Sequence, residues 1–527
     1  MAERYDAVII GGGHNGLTCG AYLARAGLKT LVLERRAVIG GAAVTEEVVP
    51  GFKFSVFSYL MSLLHPKVIS DLDLRKYGFE VLPASDMFGP LPGGDHIIFS
   101  DSVARSQASF ARFSQKDAEI YPEFDRYLTE SATIIRKLLL ETPPDVTCRD
   151  WRSVKETAKL IWKYRKIGGK FFRLVDLLTM SADDYLSEWF ESTHVKAVLA
   201  YYSGIGTFVG PKSPGSAYVI MHHVMGEHAG AGGWGFIRGG MGTITQAIAA
   251  SGKASGLTVR TEAAVAAIET RNGRATGVTL EDGTQIGAGV VASNVSAKLT
   301  FLKFLPEASL PAEFVRDLKA YRTYSAAFKI NIACERLPRY TAFDAAQCGF
   351  AYPTYAHIGP SIEYLERAYD DAKYGDWSRD PFITPVAPSF VDDTISPPGK
   401  HVVHLFGGHA PYTLREGDWE TRKPDFVQNV LRVMDEHAPG FSSGIIGMQV
   451  LTPPDIEAKI GSPHGHIFHG ELQADQLFFA RPAPHWADYR SPIKGLYQCG
   501  SSAHPGGGVG GVPGHNAARE ILKDLRR

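Results

Sequence analysis

The sequence predicts an α/β protein: a Rossmann-type nucleotide-binding domain assembled from separated stretches of chain, with a second domain of mixed α+β character between them. Three observations carry this. A βαβ pattern with spaced glycines opens the chain, a run of short strands lies between residues 230 and 295, and a strand, a glycine-rich loop and a helix close it. A chain of 527 residues is long for one hydrophobic core, so two or three domains are expected.

The opening unit is the clearest. Ala7 to Ile10 is an apolar run of the kind buried on both faces in a parallel sheet. Gly11, Gly13 and Gly16 follow, then a helical stretch through Ala24, a stop at Gly27, and the strand KTLVLE ending at Glu34. Gly11 permits the tight turn, Gly13 lets the main chain approach a pyrophosphate, and Gly16 permits close packing of helix on strand. The helix N-terminus would favour the phosphates' negative charge. Glu34 falls 18 residues after Gly16, where a carboxylate can hold ribose hydroxyls. Strand, helix and acid together outweigh an incidental glycine turn. Next comes ERRAVIGGAAVT, in which Gly40 and Gly41, read alone, are only a turn.

From about Arg75 to Glu227 the pattern is helical, with YPEFDRYLTESATIIRKLLL and DYLSEWFESTHVKAVLAYY as amphipathic helices. GGMG at Gly239 to Gly242 opens another helix but lacks the following strand and acid of a second nucleotide site. LTVR, AAVAAIET, RATGVTL and QIGAGVVAS then read as strands, turning at Asn272-Gly273 and Asp282-Gly283. After a long mixed region come the strand GLYQCG, a loop with six glycines between Gly506 and Gly514, and a helix from about Pro513. The expected division is a nucleotide-binding domain of residues 1–75, 230–300 and 488–527, and a substrate domain of 76–229 and 301–487.

Composition narrows the function. Basic and acidic residues balance at 55 and 56, so no global field selects a nucleic acid. Cys19, Cys148, Cys334, Cys348 and Cys499 are scattered and never spaced CxxC, which argues against a disulfide framework, a zinc knuckle or a dithiol motif. MAERYDAVII enters a strand at once, leaving no room for a signal peptide, and the best apolar run is broken by Pro50, Gly51 and Lys53. A cytoplasmic protein, soluble or peripheral to a membrane, is expected.

The two glycine loops suggest the cofactor. A nicotinamide dinucleotide needs one such loop, whereas a flavin dinucleotide has a planar ring that must also be held and that gains negative charge on reduction. Glycines in the second loop let backbone lie against a ring, and Pro513 suits a first helical turn, where its missing N–H would be unpaired anyway.

GGGHNGL, ERRAVIGG, GFIRGGMGTI, GVVASNVS, GHIFHGELQADQLFFARP and GLYQCGSSAHPGGGVGGVPGHNAA occur in an order that resembles phytoene desaturase-like flavoproteins, in particular a branch named after pyridine nucleotide-disulfide oxidoreductases. No CxxC stands behind the disulfide part of that name. The resemblance implies an FAD-dependent oxidoreductase with non-covalent FAD, a two-domain fold shared with amine oxidases, and a long apolar cavity. It places Gly11, Gly13 and Gly16, with His14 and Asn15 of the same loop, at the pyrophosphate, and Glu34, with Arg35 beside it, at the adenosine ribose. Gly41 and Ala42 would face the phosphates and ribityl chain, and Val265 the adenine. Gly500 and Ser501 would lie on the ribityl phosphate side, and Gly511 and Val512 at the flavin ring. Ala42 departs from the family, where Arg is common.

The implied chemistry is hydride removal to FAD with proton loss, or its reverse or an isomerisation, on C–C and C=C bonds of a carotenoid, isoprenoid or fatty acyl chain. His504, at the mouth of the second loop, is the candidate proton acceptor, against the alternative that it pins the loop. SPHGHIFHG and His222-His223 tempt a metal reading, but Gly465 and Gly470 suggest a turn and no metal is expected. WRSVKETAKLIWKYRKIGGKFFR, residues 151–173, carries eight Lys/Arg against one Glu among aromatics, the pattern of a membrane-surface element or of a solvated helix. An apolar small molecule is the expected partner, and contact with further copies of the chain stays open. The rival readings are an amine oxidase-like enzyme and a partner-binding protein that keeps FAD as a structural element.

Overall fold

The computed structural model describes residues 3–147, 151–226 and 234–526, so Cys148, Glu227 and the boundary between 229 and 230 lie outside the described residues. The fold is α/β. Among the described residues its larger sheet has seven strands, ordered Val265–Arg271, Arg274–Leu280, Gln285–Ser293, Glu3–Ile10, Thr30–Leu33 and Thr258–Arg260, with Leu496–Gln498 also paired to Gln285–Ser293. Strands from near both ends of the chain thus flank the same middle strand: Ala7 to Ile10 run parallel to Val290 to Ser293, and Leu496 to Gln498 run parallel to Val291 to Ser293. The central strands are buried on both faces, as their unbroken Val/Ile/Leu runs require.

One strand differs from the sequence reading. Thr258–Arg260 leaves the antiparallel meander and runs parallel to Thr30–Leu33 at the sheet edge. The helix Gly242–Ala254 before it supplies the crossover that a parallel partner needs, and Gly256, at φ +93°, makes the turn between them. Gly242 N donates to Thr45 Oγ1, so the GGMG turn packs on the hairpin Thr45–Val49/Phe52–Ser55.

A second, antiparallel sheet orders Phe382–Val386, His401–Gly408, Ala327–Cys334 and Ile445–Leu451. The helices Gln115–Leu139, Lys170–Thr179 and Ala217–Val224 pack together beside it. Among the described residues no helix is long and apolar enough to cross a membrane.

Two helices bind the chain's extremes together. His14–Arg25 packs along Val512–Leu525, and the contact is made by main chain: a Cβ on Gly514 would lie 2.1 Å from Asn15 O. Asn15 Nδ2 also donates to Ser501 Oγ.

Candidate active site

A continuous cavity runs between the two sheets, about 2080 Å³ with the space at its open mouth included. One end is walled by Glu34, Arg36, Val265 and Glu281, the middle by Gly11, Gly13, Gly41 and Asn294, and the far end by Tyr202, Trp234, Tyr355 and His357.

The Glu34 end is built by the βαβ turn. Gly12 N donates to Glu34 Oε2 and Arg36 N to Oε1, each at 2.9 Å, so the buried carboxylate is fixed and still has lone pairs facing the cavity. Arg36 pairs with Glu46 through one nitrogen while its Nη1 is buried without a protein partner. Arg35 lines the cavity too and donates to Ala458 O.

At the middle, glycine is required by contact. A Cβ on Gly16 would sit 2.2 Å from Gly11 O, and one on Gly13 2.8 Å from Asn294 Nδ2, which itself donates to Gly11 O. Gly13 caps the helix His14–Arg25 without a side-chain hydrogen bond, leaving first-turn N–H groups to meet an anion. His14 Nε2, on the cavity wall, is buried without a protein partner. A bare backbone floor, an uncapped helix end, the orphaned His14 Nε2 and Arg36 Nη1 and a fixed carboxylate fit a dinucleotide.

Of the residues expected to hold FAD, Gly11, Gly13, His14, Glu34, Arg35, Gly41, Ala42, Val265 and Ser501 line the cavity. Asn15, Gly16 and Gly500 stand behind it, where they brace the loop: a Cβ on Gly500 would lie 2.3 Å from Asn294 O. Gly511 and Val512 do not line the cavity, whereas Gly508 and Val509 of the same loop do. The loop folds back through positive φ at Gly506, Gly508, Val509 and Gly511, leaving Val512 on a smaller neighbouring cavity.

His504 stands apart from the cavity. Its ring is buried with Nε2 2.9 Å from Leu138 O and its edge against Phe478, and it does not line the cavity. Burial lowers its pKa to about 4. It holds the second loop to the helix Gln115–Leu139 and touches nothing in the reaction space.

The three histidines of SPHGHIFHG part company. His464 Nδ1 lies 2.9 Å from Thr323 Oγ1, His466 Nδ1 accepts from Phe468 N and Gly470 N, and His469 lines the cavity. Burial, and then the charge of Arg481, push His469 down to about 4. Arg481 is wholly buried and donates to the carbonyls of Phe468, Gly470, Glu471, Gln476 and Ser501, tying that wall to the second loop.

Sequence reasoning missed the far end. Tyr202 stacks on His223 at 5.3 Å and on Trp234 at 6.3 Å, and its hydroxyl lies 2.8 Å from that of Tyr355. Lys329, buried in the strand Ala327–Cys334, donates to Ser55 O at 2.8 Å and sits 5.1 Å from the centre of the Tyr59 ring. Burial drives its pKa well below the ordinary lysine value. Burial likewise lowers the pKa of His223 to about 4 and that of His357 well below the usual histidine value. The described carboxylates lining the cavity, Glu34 and Glu281, both stand at the opposite end.

Comparison with known proteins agrees with this geometry. Residues 16–347 match the profile of the family described as flavin containing amine oxidoreductase. "Pyridine nucleotide-disulfide oxidoreductase domain-containing protein 2" of Rattus norvegicus is 41% identical, the alignment covering 100% of this chain and 94% of that one. A limonene dehydrogenase component of Castellaniella defragrans is 27% identical, over 99% and 95%. The solved structure of putrescine oxidase bound to putrescine superimposes with a TM-score of 0.63 at 13% identity, covering 100% of both chains, a likeness of fold. With a dinucleotide cradle built from both ends of the sequence and a family match spanning most of its length, the chain belongs to the flavin containing amine oxidoreductase family and is an FAD-dependent oxidoreductase.

Proposed function

We propose that the enzyme removes, adds or shifts a double bond in a large apolar molecule such as a carotenoid, an isoprenoid or a fatty acyl chain. The observation that carries this reading is the make-up of the cavity beyond the phosphate loops. Leu60, Leu63, Ile205, Phe406, Ile467 and Val509 line it, and no described carboxylate does. Such a wall desolvates a hydrocarbon at little cost and offers a dication no counter-charge. The limonene dehydrogenase component, whose name specifies a hydrocarbon, supports the same class.

FAD, when bound, accepts the hydride with its electron pair. The chain's own residues do the rest. The glycine loops and Glu34 hold the dinucleotide, the aliphatic wall excludes water, and the aromatic faces of Tyr202 and Trp234 lie against a flat polyene. The proton lost with the hydride needs an acceptor. Lys329, whose charged form burial disfavours and which lines the cavity, is the candidate acceptor.

A second reading has one observation in its favour. Stacked aromatic rings also receive a monoamine, by cation–π attraction, and putrescine oxidase shares the fold. Anaerobic incubation of the FAD-loaded protein with carotenoids, terpenes, acyl thioesters and amines separates the two. Bleaching of the flavin's visible band by an apolar compound, with a product two hydrogens poorer than that compound, is expected. Bleaching by amines alone, followed by hydrogen peroxide release on admitting air, overturns the hydrocarbon reading.

A further inference from the structure

The helix Trp151–Tyr164 has no residue classed as buried among those whose side chains are described. Its half-buried positions are Ser153, Thr157, Leu160 and Tyr164, spaced as one helical face and mostly polar. The large apolar side chains point the other way: Trp151 is 80% exposed, Ile161 66% and Trp162 67%. In the short helix Lys170–Thr179 that follows, Phe171 and Phe172 are 58% and 71% exposed. A helix that packs on the protein through its polar face and turns its apolar face outward has the reverse of the ordinary soluble arrangement.

Cations frame these rings. Lys155, Lys159 and Lys166 are exposed, and the Arg165 guanidinium lies 4.1 Å from the centre of the Trp162 ring. Lys163 pairs with Glu141, and Lys170 and Arg173 pair with Glu130, which anchors both ends of the segment to the helix Gln115–Leu139 and its extension. Aromatic and aliphatic side chains flanked by lysines make the face of an interfacial helix, whose lysines complement anionic head groups while the rings enter the acyl boundary.

Its position links it to the active site. Arg136 and Leu139 of the supporting helix line the smaller cavity with Met225 and Gly507, and Ser62 and Leu63 belong to the walls of both cavities. Leu139 on the supporting helix and Leu63 on the shared wall thus stand between the segment and the reaction space.

We propose that residues 151–173 form a docking surface for an anionic phospholipid bilayer, from which the enzyme draws its substrate through the smaller cavity. The surface stands on its own observations, and the test needs no substrate, so its failure leaves the hydrocarbon reading untouched. FAD-loaded protein is sedimented with vesicles of phosphatidylcholine alone or mixed with phosphatidylglycerol, at low and at high salt. Binding to the anionic vesicles at least tenfold tighter than to the neutral ones, weakened by salt, is expected. A Trp151→Ser/Ile161→Ser/Trp162→Ser/Phe172→Ser variant should lose at least tenfold in binding while keeping its flavin content and melting temperature, since it alters exposed side chains. Lys155→Glu/Lys159→Glu/Lys166→Glu should abolish the preference for anionic lipid. Wild-type protein that stays in the supernatant with anionic vesicles, or a serine variant that binds as the wild type does, overturns the proposal.

Discussion

Gly514→Ala is the sharpest test of how the two ends of the chain cooperate. A single methyl there would meet Asn15 O at 2.1 Å, and Asn15 C and Cys19 N at 3.0 Å, all main-chain atoms of the helix His14–Arg25. Carbon contacts settle at about 3.5–4.0 Å, so the helices must separate by roughly 1 Å, with no side-chain rotamer available to absorb the movement. That places the cost at the upper end of the about 1–3 kcal/mol of ordinary overpacking. The opposing term is the about 1 kcal/mol by which Ala exceeds Gly inside a helix. The clash wins by about 2 kcal/mol, roughly a thirtyfold change in an equilibrium constant. The N-terminus of His14–Arg25 belongs to the cofactor cradle, so the loss falls on FAD affinity as well as on folding. The assay is the flavin-to-protein ratio after purification, together with thermal melts with and without added FAD. Gly169→Ala is the control, since a Cβ there meets nothing within 4 Å in a right-handed helical conformation. A Gly514→Ala protein that purifies fully yellow and melts with the wild type would refute the reasoning.

Other outcomes follow from the same geometry. Glu34→Gln removes the charge that meets the ribose hydroxyls and loosens the anchoring of Gly12 and Arg36, and should weaken FAD binding by about 10- to 100-fold, the equivalent of about 1–3 kcal/mol, in a fluorescence titration of apoprotein. His504→Ala should keep bound FAD and leave flavin reduction within about threefold of wild type, while losing about 1 kcal/mol of stability with the Leu138 contact; a hundredfold slower reduction in stopped flow would restore it to the chemistry. Lys329→Met, close in length and without the amine, should retain the flavin spectrum and slow its reduction at least tenfold, and unchanged reduction removes Lys329 as proton acceptor. For pH the sign follows from His223 and His504, both held near 4 by burial against an ordinary 6.5. The unfolded chain takes up protons first, so this stability is complete above about pH 6.5 and is lost as pH falls toward 4, by about 1.4 kcal/mol per pH unit for each group. Denaturant midpoints that stay level between pH 7 and 5 would contradict it.

The cradle was legible because its signals are local. Strand, three glycines and Glu34 lie within some thirty residues, each with a steric or electrostatic job that only a few residue types can do. Asn294 was not, although it touches Gly11 and a Cβ on Gly13, Gly16 or Gly500 would meet it, because its place depends on strand pairing across more than 280 residues of sequence. The second loop showed the kind of backbone freedom but not its path, since a run of glycines leaves open which members turn inward. Val509, at φ +58°, adopts a conformation its residue type disfavours. The apolar end was hidden for another reason. Tyr202, Trp234, Tyr355 and Phe406 come from separate segments and read as ordinary core residues one by one. Lys329, a lone lysine in the strand AFKINIAC, reads as a solvent-facing position, whereas the strand is covered on both faces.

The pairing of Leu496–Gln498 with Gln285–Ser293, and the seating of Gly514 on Asn15, give synthesis of this protein a definite order. A ribosome that has produced the first three hundred residues holds a phosphate loop lacking half of its neighbours, and vitamin-derived cofactor reaching it then finds no complete grip. The grip is complete only once Val512–Leu525 packs on His14–Arg25. Prematurely terminated or carboxy-terminally clipped chains should therefore stay colourless, however much riboflavin the cell supplies.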